Sequence, residues 1–140
     1  TWGSEKICCA DRHAIVTETE KICHILKNFE THHNQSFAVA SNETGKLSGI
    51  ITLEHLKETL MIGEFADTLL AVDIMDKPIC TCSPEDSLPD VYKKFSDADT
   101  ESMPIVDNDG KPLGIMEKFA ADHYLHTRIL EINRKLENMA

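Results

Sequence analysis

Two stretches of the chain carry the same apolar pattern 66 residues apart. Ile22, Ile25, Leu26 and Phe29 recur as Leu88, Val91, Tyr92 and Phe95. The spacing i, i+3, i+4, i+7 puts four apolar side chains on one helical face, so each stretch predicts an amphipathic helix. The preceding polar residues also match: Thr17-Glu18-Thr19-Glu20 falls on Ser83-Pro84-Glu85-Asp86. Each helix is therefore expected to open on a Thr or Ser cap with an acidic residue in its first turn, Pro84 standing where proline starts helices well.

The repeat continues beyond the helices. Phe37-Ala38-Val39-Ala40 falls on Met103-Pro104-Ile105-Val106, a short apolar strand in both halves, and Gly45-Lys46-Leu47-Ser48-Gly49-Ile50-Ile51 falls on Gly110-Lys111-Pro112-Leu113-Gly114-Ile115-Met116 after a one-residue gap. Between these strands, Ser41-Asn42-Glu43-Thr44-Gly45 and Asp107-Asn108-Asp109-Gly110 supply the Asn, Asp and Gly residues of tight hairpins. First strands are expected at Ala14 to Val16 and Ile79 to Cys82, and closing helices from Leu53 to about Met61 and from about Lys118 to Asn138. The reading is an α+β fold of tandem β-α-β-β-α repeats related by a pseudo-twofold axis, with an extended C-terminal helix. Its segments are an N-terminal flank (1–13), a first repeat (14–61), a connection (62–77), a second repeat (78–126) and a helical extension (127–140). The connection holds Leu, Val and Phe instead of a Gly/Ser tract, so it should pack, and the halves should share a core.

Composition narrows the function. Of 140 residues, 24 are acidic and 14 basic, a formal net charge of -10 with no Lys/Arg-rich stretch, which argues against a nucleic-acid partner or an anionic membrane surface. The longest apolar runs fall far short of the ~20 residues of a membrane helix. The opening Thr1-Trp2-Gly3-Ser4-Glu5-Lys6 has no apolar leader core, and the five cysteines (Cys8, Cys9, Cys23, Cys80, Cys82) show no framework spacing. Free thiols in a reducing, cytosolic setting are expected.

The element order, the strand followed by Asp107-Asn108-Asp109-Gly110, the Gly49-Ile50-Ile51-Thr52 that opens a helix, and the phrase Asp73-Ile74-Met75-Asp76-Lys77-Pro78 together resemble the cystathionine-β-synthase (CBS) domain repeat over about Ala14 to Arg128. Within that family, the segments Gly49 to His55, Leu69 to Met75 and Glu101 to Asp107, with a late Tyr124, look most like the cytoplasmic tail of a bacterial chloride channel or chloride/proton exchanger. The resemblance implies a non-catalytic regulatory module on the cytoplasmic side of a membrane, attached to a transmembrane transport domain and sensing an adenine nucleotide. The alternatives it leaves open are a structural dimerisation tail with empty clefts, and the regulatory module of a cation antiporter, a metal-ion transporter or a soluble enzyme.

Members of the family hold adenine nucleotides in clefts between the repeats, with a Thr or Ser at a helix start facing phosphate and an Asp three residues on facing the ribose. Carried over, Thr52 keeps the hydroxyl position and His55 stands where the Asp is usual; the second half shows Glu117 and Ala120 at the matching places. Glu117 sets a carboxylate where phosphate would lie. The better cleft is thus expected at Thr52 and His55, with Pro78, Ile79, Glu101 and Met103 facing the base. Adenosine or AMP is the implied ligand, ATP being disfavoured by the acidic surroundings, and no cofactor is required.

Other residue types point less far. His32-His33 and the pair His123 and His126 fill at most half of a zinc shell, and Cys80-Thr81-Cys82 reads as small core residues on one side of a strand. No nucleophile sits on a strand-to-helix elbow, so no catalytic site is expected. The last helix carries Ala121, Leu125, Ile129, Ile132, Leu136 and Met139 as one apolar stripe. That stripe is too long for one small core, and from about Ile129 it predicts a homodimer contact with a second copy of the chain.

Overall fold

The computed structural model describes residues 14–32, 36–62 and 68–139. The first half runs β1 (Ile15–Thr17), α1 (Ile22–His32), β2 (Ser36–Ala40), β3 (Leu47–Thr52) and α2 (Leu53–Ile62). A short helix, α3 (Ala71–Ile74), leads to α4 (Leu88–Ala98), β4 (Ser102–Val106), β5 (Pro112–Glu117) and the long α5 (Lys118–Met139). β1 runs parallel to β2, which pairs antiparallel with β3; β4 and β5 form a second antiparallel pair.

Duplication is visible in the register. Val39 faces Gly49 and Ile105 faces Gly114, each pair followed at once by a register shift, and both Val39 and Ile105 are fully buried. The helical faces read from the sequence also turn inward: Ile22 and Ile25 on α1, Val91 and Phe95 on α4. Two clusters result, one around Phe37, Ile51 and Leu56, the other around Phe95, Met103 and Met116. Ile115 of β5 belongs to the first cluster, so the halves bury surface against each other.

The hairpin tips meet reciprocally: a side chain at Gly45 would touch Lys111, and one at Gly110 would touch Lys46. At Gly110 the backbone takes a φ of 83°, open to glycine at no steric cost, while Asp107 Oδ1 accepts from the Asp109 and Lys111 amides. Where it is described, the connection is tied to the first half by backbone bonds. The Ile22 N–H donates to the Leu69 carbonyl, and those of Ala71 and Val72 donate to the Glu20 and Glu18 carbonyls.

Two local expectations need correction. The strand expected at Ile79 to Cys82 shrinks to a single parallel bridge, Cys82 to Ile105. Prolines explain it. In the first half the Ala38 N–H donates to the Ala14 carbonyl and the Glu18 N–H to the Ala40 carbonyl; the matching donors in the second half are Pro104 and Pro84, which have no N–H. Nor do Thr17 and Ser83 cap the helices. Thr17 ends β1, and Ser83 forms a turn with Asp86, whose carboxylate accepts from the Ser83 amide and hydroxyl. α4 starts four residues later, with Ser87 accepting from the Asp90 amide and Pro89 in the first turn.

α5 leaves the body of the fold soon after it starts. Ala121 is buried and Leu125 half-buried, but every residue from His126 to Met139 is exposed. Among the described residues no helix is long and apolar enough to cross a membrane.

Candidate functional site

A cleft of about 120 Å³ opens where the halves meet. One wall comes from β3, with Ile50 and Thr52; the floor is Asp76 to Cys80; the other wall is Thr100, Ser102 and Pro104. Ile50, Pro78, Ile79 and Pro104 make it largely apolar, while Thr52, Thr100 and Ser102 contribute hydroxyls. Ile79 is 75% exposed.

The floor is pinned to β3 by two backbone bonds. The Ile50 N–H donates to the Asp76 carbonyl at 2.8 Å, and the Asp76 N–H returns to the Ile50 carbonyl at 2.9 Å. Gly49 makes this approach feasible, because a Cβ there would lie 2.8 Å from both the Asp76 carbonyl oxygen and Met75 Sδ. Thr52 ends β3 immediately before α2, and its Oγ1 accepts from the His55 amide at 3.2 Å.

Of the residues singled out from the sequence, Thr52, Pro78 and Ile79 line this cleft together. His55 stands just behind it: its Nε2 lies 2.8 Å from Asp76 Oδ2, and its Nδ1 is buried with no hydrogen-bond partner. Glu101 is exposed and outside the lining, and Met103 points into the second core, where its sulfur accepts from the Cys80 thiol at 3.6 Å. On that side the cleft is lined instead by their chain neighbours Thr100, Ser102 and Pro104. β4 is buried on both faces from Ser102 to Ile105, so no apolar-polar alternation marks which face meets the cleft. Asp76 was missed because its partner His55 is far away in sequence. In the second half, Glu117 pairs with Ser102 at the end of β5 and Ala120 lies in the first turn of α5.

Around the floor, Lys94 Nζ donates to Asp86 Oδ2 and to the Thr81 carbonyl, both at 2.8 Å. Burial works against the ammonium, but the bond and charge of Asp86 outweigh it and raise the Lys94 pKa. Burial pushes the Cys80 thiol up, with Lys94 opposing. Tyr92 is also held protonated, first by burial, then by donating to Asp122 Oδ1 at 2.6 Å. Among the described residues no three His, Cys, Asp or Glu side chains converge as a metal site would require, and His123 and His126 are exposed on α5. Cys8, Cys9 and His33 lie outside the described residues.

Paired repeats, a shared core and a cleft between them define the class, and comparison with known proteins agrees: the chain is folded as a CBS domain pair. Residues 71–118 match the CBS domain family. A curated protein of Methanopyrus kandleri, the uncharacterized protein MK0525, is 29% identical over 109 residues, 75% of this chain; the chain spans only 56% of that relative's length. Among solved structures, the CBS domain pair of protein MJ0100 in complex with 5'-methylthioadenosine and S-adenosyl-L-methionine is similar with a TM-score of 0.72, 18% identity, and 88% and 96% of the two chains covered. CBSX2 in complex with AMP gives 0.65, 17% identity, and 81% and 87%. The cytosolic domain of the Mg2+ channel MgtE in complex with ATP gives 0.65, 16% identity, and 86% and 52%.

Proposed function

We propose that this chain is a non-catalytic regulatory module that takes an adenosine-type ligand in the cleft between its halves. The carrying observation is that both halves build the cleft: Ile50 and Thr52 face Thr100, Ser102 and Pro104 across the 76–80 floor. A ligand there touches both sides, so it favours one placement of the halves over another. Each tenfold difference in affinity between two placements is worth about 1.4 kcal/mol, which an attached domain can use.

The size of the cleft bears on the ligand. At about 120 Å³ it is well below the roughly 300–1,000 Å³ of pockets that enclose drug-sized molecules, so it grips part of a nucleoside and leaves the remainder outside. Pro78 and Ile79 would pack on the base, and Thr52 would donate to the ligand. Solved relatives of this fold carry AMP, ATP, 5'-methylthioadenosine or S-adenosyl-L-methionine, which supports an adenosine moiety as the shared element.

For the host protein, we infer a membrane transporter of the chloride channel or exchanger type, the module lying on its cytoplasmic side. The sequence resemblance supports this, as does the occurrence of the fold in a cation channel's cytosolic domain. About ten hydrophobic helices encoded before Thr1 would agree with it, and a soluble enzyme domain in their place would end it. A second reading, a dimerisation tail, is favoured by the exposed apolar stripe of α5. Both readings are compatible with a homodimer.

Ligand-dependent melting and titration calorimetry with adenosine, AMP, ADP and ATP test the sensing role. Binding to the folded state raises the melting temperature by mass action. The expected result is a shift with adenosine and AMP that exceeds the shift with ATP, and that weakens in Ile79→Ser. No heat and no shift at millimolar ligand would remove the sensing role and leave the dimerisation tail.

A further inference from the structure

Among the described side chains that line the cleft, Asp76 carries the sole carboxylate. It is held more firmly than an exposed aspartate usually is. Both of its backbone polar groups are paired with Ile50, and its Oδ2 lies 2.8 Å from His55 Nε2. Its Oδ1 has no hydrogen-bond partner among the described residues, which leaves one oriented acceptor at the edge of the cleft.

His55 fixes how this acceptor is presented. Its Nε2 lies 2.8 Å from Asp76 Oδ2, so one carboxylate oxygen is anchored and the group does not turn freely. The His55 ring is itself held on its far side, where Nδ1 is buried. A carboxylate oriented in this way accepts hydrogen bonds from hydroxyls.

We infer that Asp76 is the residue that selects a ligand with a vicinal diol, that is, a ribose in preference to a deoxyribose, and that His55 acts through it as a positioning residue. The inference rests on the cleft being an adenosine site, and it adds the residue that reads the ribose in a chain where His55 stands in the place of the usual Asp. The ribose hydroxyls would donate to Asp76 Oδ1, with the hydroxyls of Thr52, Thr100 and Ser102 as further polar groups along the walls.

Calorimetric titration of the intact chain with adenosine, 2'-deoxyadenosine and 3'-deoxyadenosine tests this. Wild type should prefer adenosine over the weaker deoxy analogue by about tenfold or more, the size expected of one hydrogen bond to a charged acceptor. Asp76→Ala should bring the three ligands within about twofold of one another, chiefly by weakening adenosine, with the unliganded melting temperature confirming an intact fold. His55→Ala should shrink the preference, and His55→Gln, whose amide can donate from the place of Nε2, should restore it; a merely structural histidine would not give back selectivity in this way. If adenosine binds and Asp76→Ala keeps the wild-type preference, Asp76 is not the selector although the cleft is an adenosine site. If adenosine gives no heat with wild type, the inference falls together with the site.

Discussion

Ser36 and Ser102 hydrogen-bond to each other through their hydroxyls at 2.6 Å, although 66 residues separate them. That is also the offset between equivalent positions of the two halves. Equivalent residues can touch only where the pseudo-twofold axis passes, so this pair marks the axis, and Ser102 carries the mark to the wall of the cleft. Both side chains are buried, so each hydroxyl depends on the other. Ser36→Ala or Ser102→Ala alone should cost about 1–3 kcal/mol by stranding the remaining hydroxyl, and the double replacement should be less costly than the sum. A double-mutant cycle by urea unfolding measures the coupling; strict additivity would show that the two hydroxyls do not depend on each other.

Gly49 makes a second prediction, linking stability to the site. A Cβ at this position would meet the Asp76 carbonyl and Met75 Sδ at 2.8 Å, and the carbonyl belongs to backbone that cannot rotate away. Gly49→Ala should therefore push the cleft floor off β3, breaking the Ile50 to Asp76 bridge. A loss of about 1–3 kcal/mol in unfolding free energy is expected, with faster hydrogen exchange at the Ile50 and Asp76 amides. Unchanged exchange there would mean that the floor is not held by this contact.

The fold was legible in the sequence where the signal is local and repeated. Ile22, Ile25, Val91 and Phe95 announced their helices because an amphipathic helix writes its buried face into every third and fourth residue. The missing first strand of the second half could not be read from Ile79 to Cys82 themselves, because its cause lies in Pro104 on the neighbouring strand and in Pro84 beyond its end. The helix starts moved for a related reason: Ser83 and Ser87 are both plausible caps, and only the turn built by Asp86 and Lys94 decides between them. In the site, Thr52, Pro78 and Ile79 were expected from the resemblance to the CBS repeat, whereas the contact of His55 with Asp76 is made by the tertiary fold alone.

Capping gives the third prediction. Ser87 accepts from the Asp90 amide at the start of α4, satisfying one of the helix's free N–H groups. Ser87→Ala should lower stability by about 1 kcal/mol, and Ser87→Asp should retain most of it. Denaturant midpoints at constant m-value check this.

Alkaline pH supplies the fourth. Tyr92, Lys94 and Cys80 all bind their protons more tightly in the fold than their ordinary values of 10.0, 10.5 and 9.0. A group with a raised folded pKa contributes stability that is complete below its unfolded pKa and lost as pH rises through the folded one. Their combined contribution should hold up to about pH 9 and fall above it, Cys80 first and then Tyr92 and Lys94. Tyr92→Phe cannot ionise, so its melting temperature should be lower than wild type near neutrality but decline less steeply between about pH 9.5 and 11. Parallel alkaline limbs for the two proteins would exclude Tyr92 as a source of the loss.

The fifth prediction concerns the end of α5. Ile129, Ile132, Leu136 and Met139 repeat at spacings of three, four and three, and lie on a part of the helix where the chain's own core no longer reaches; their exposures run from 47% to 81%. Such a seam is what two helices bury when they pack with knobs in holes. Because the seam would meet its own copy, a twofold dimer is the simplest closed arrangement. Light scattering should give twice the chain mass for the wild type and the single mass for the combined Ile129→Glu and Ile132→Glu variant, with the melting of the core nearly unchanged once the dimer contribution is lost. A wild type that stays monomeric at high concentration, or a double variant of unchanged mass, would show that α5 is not the seam.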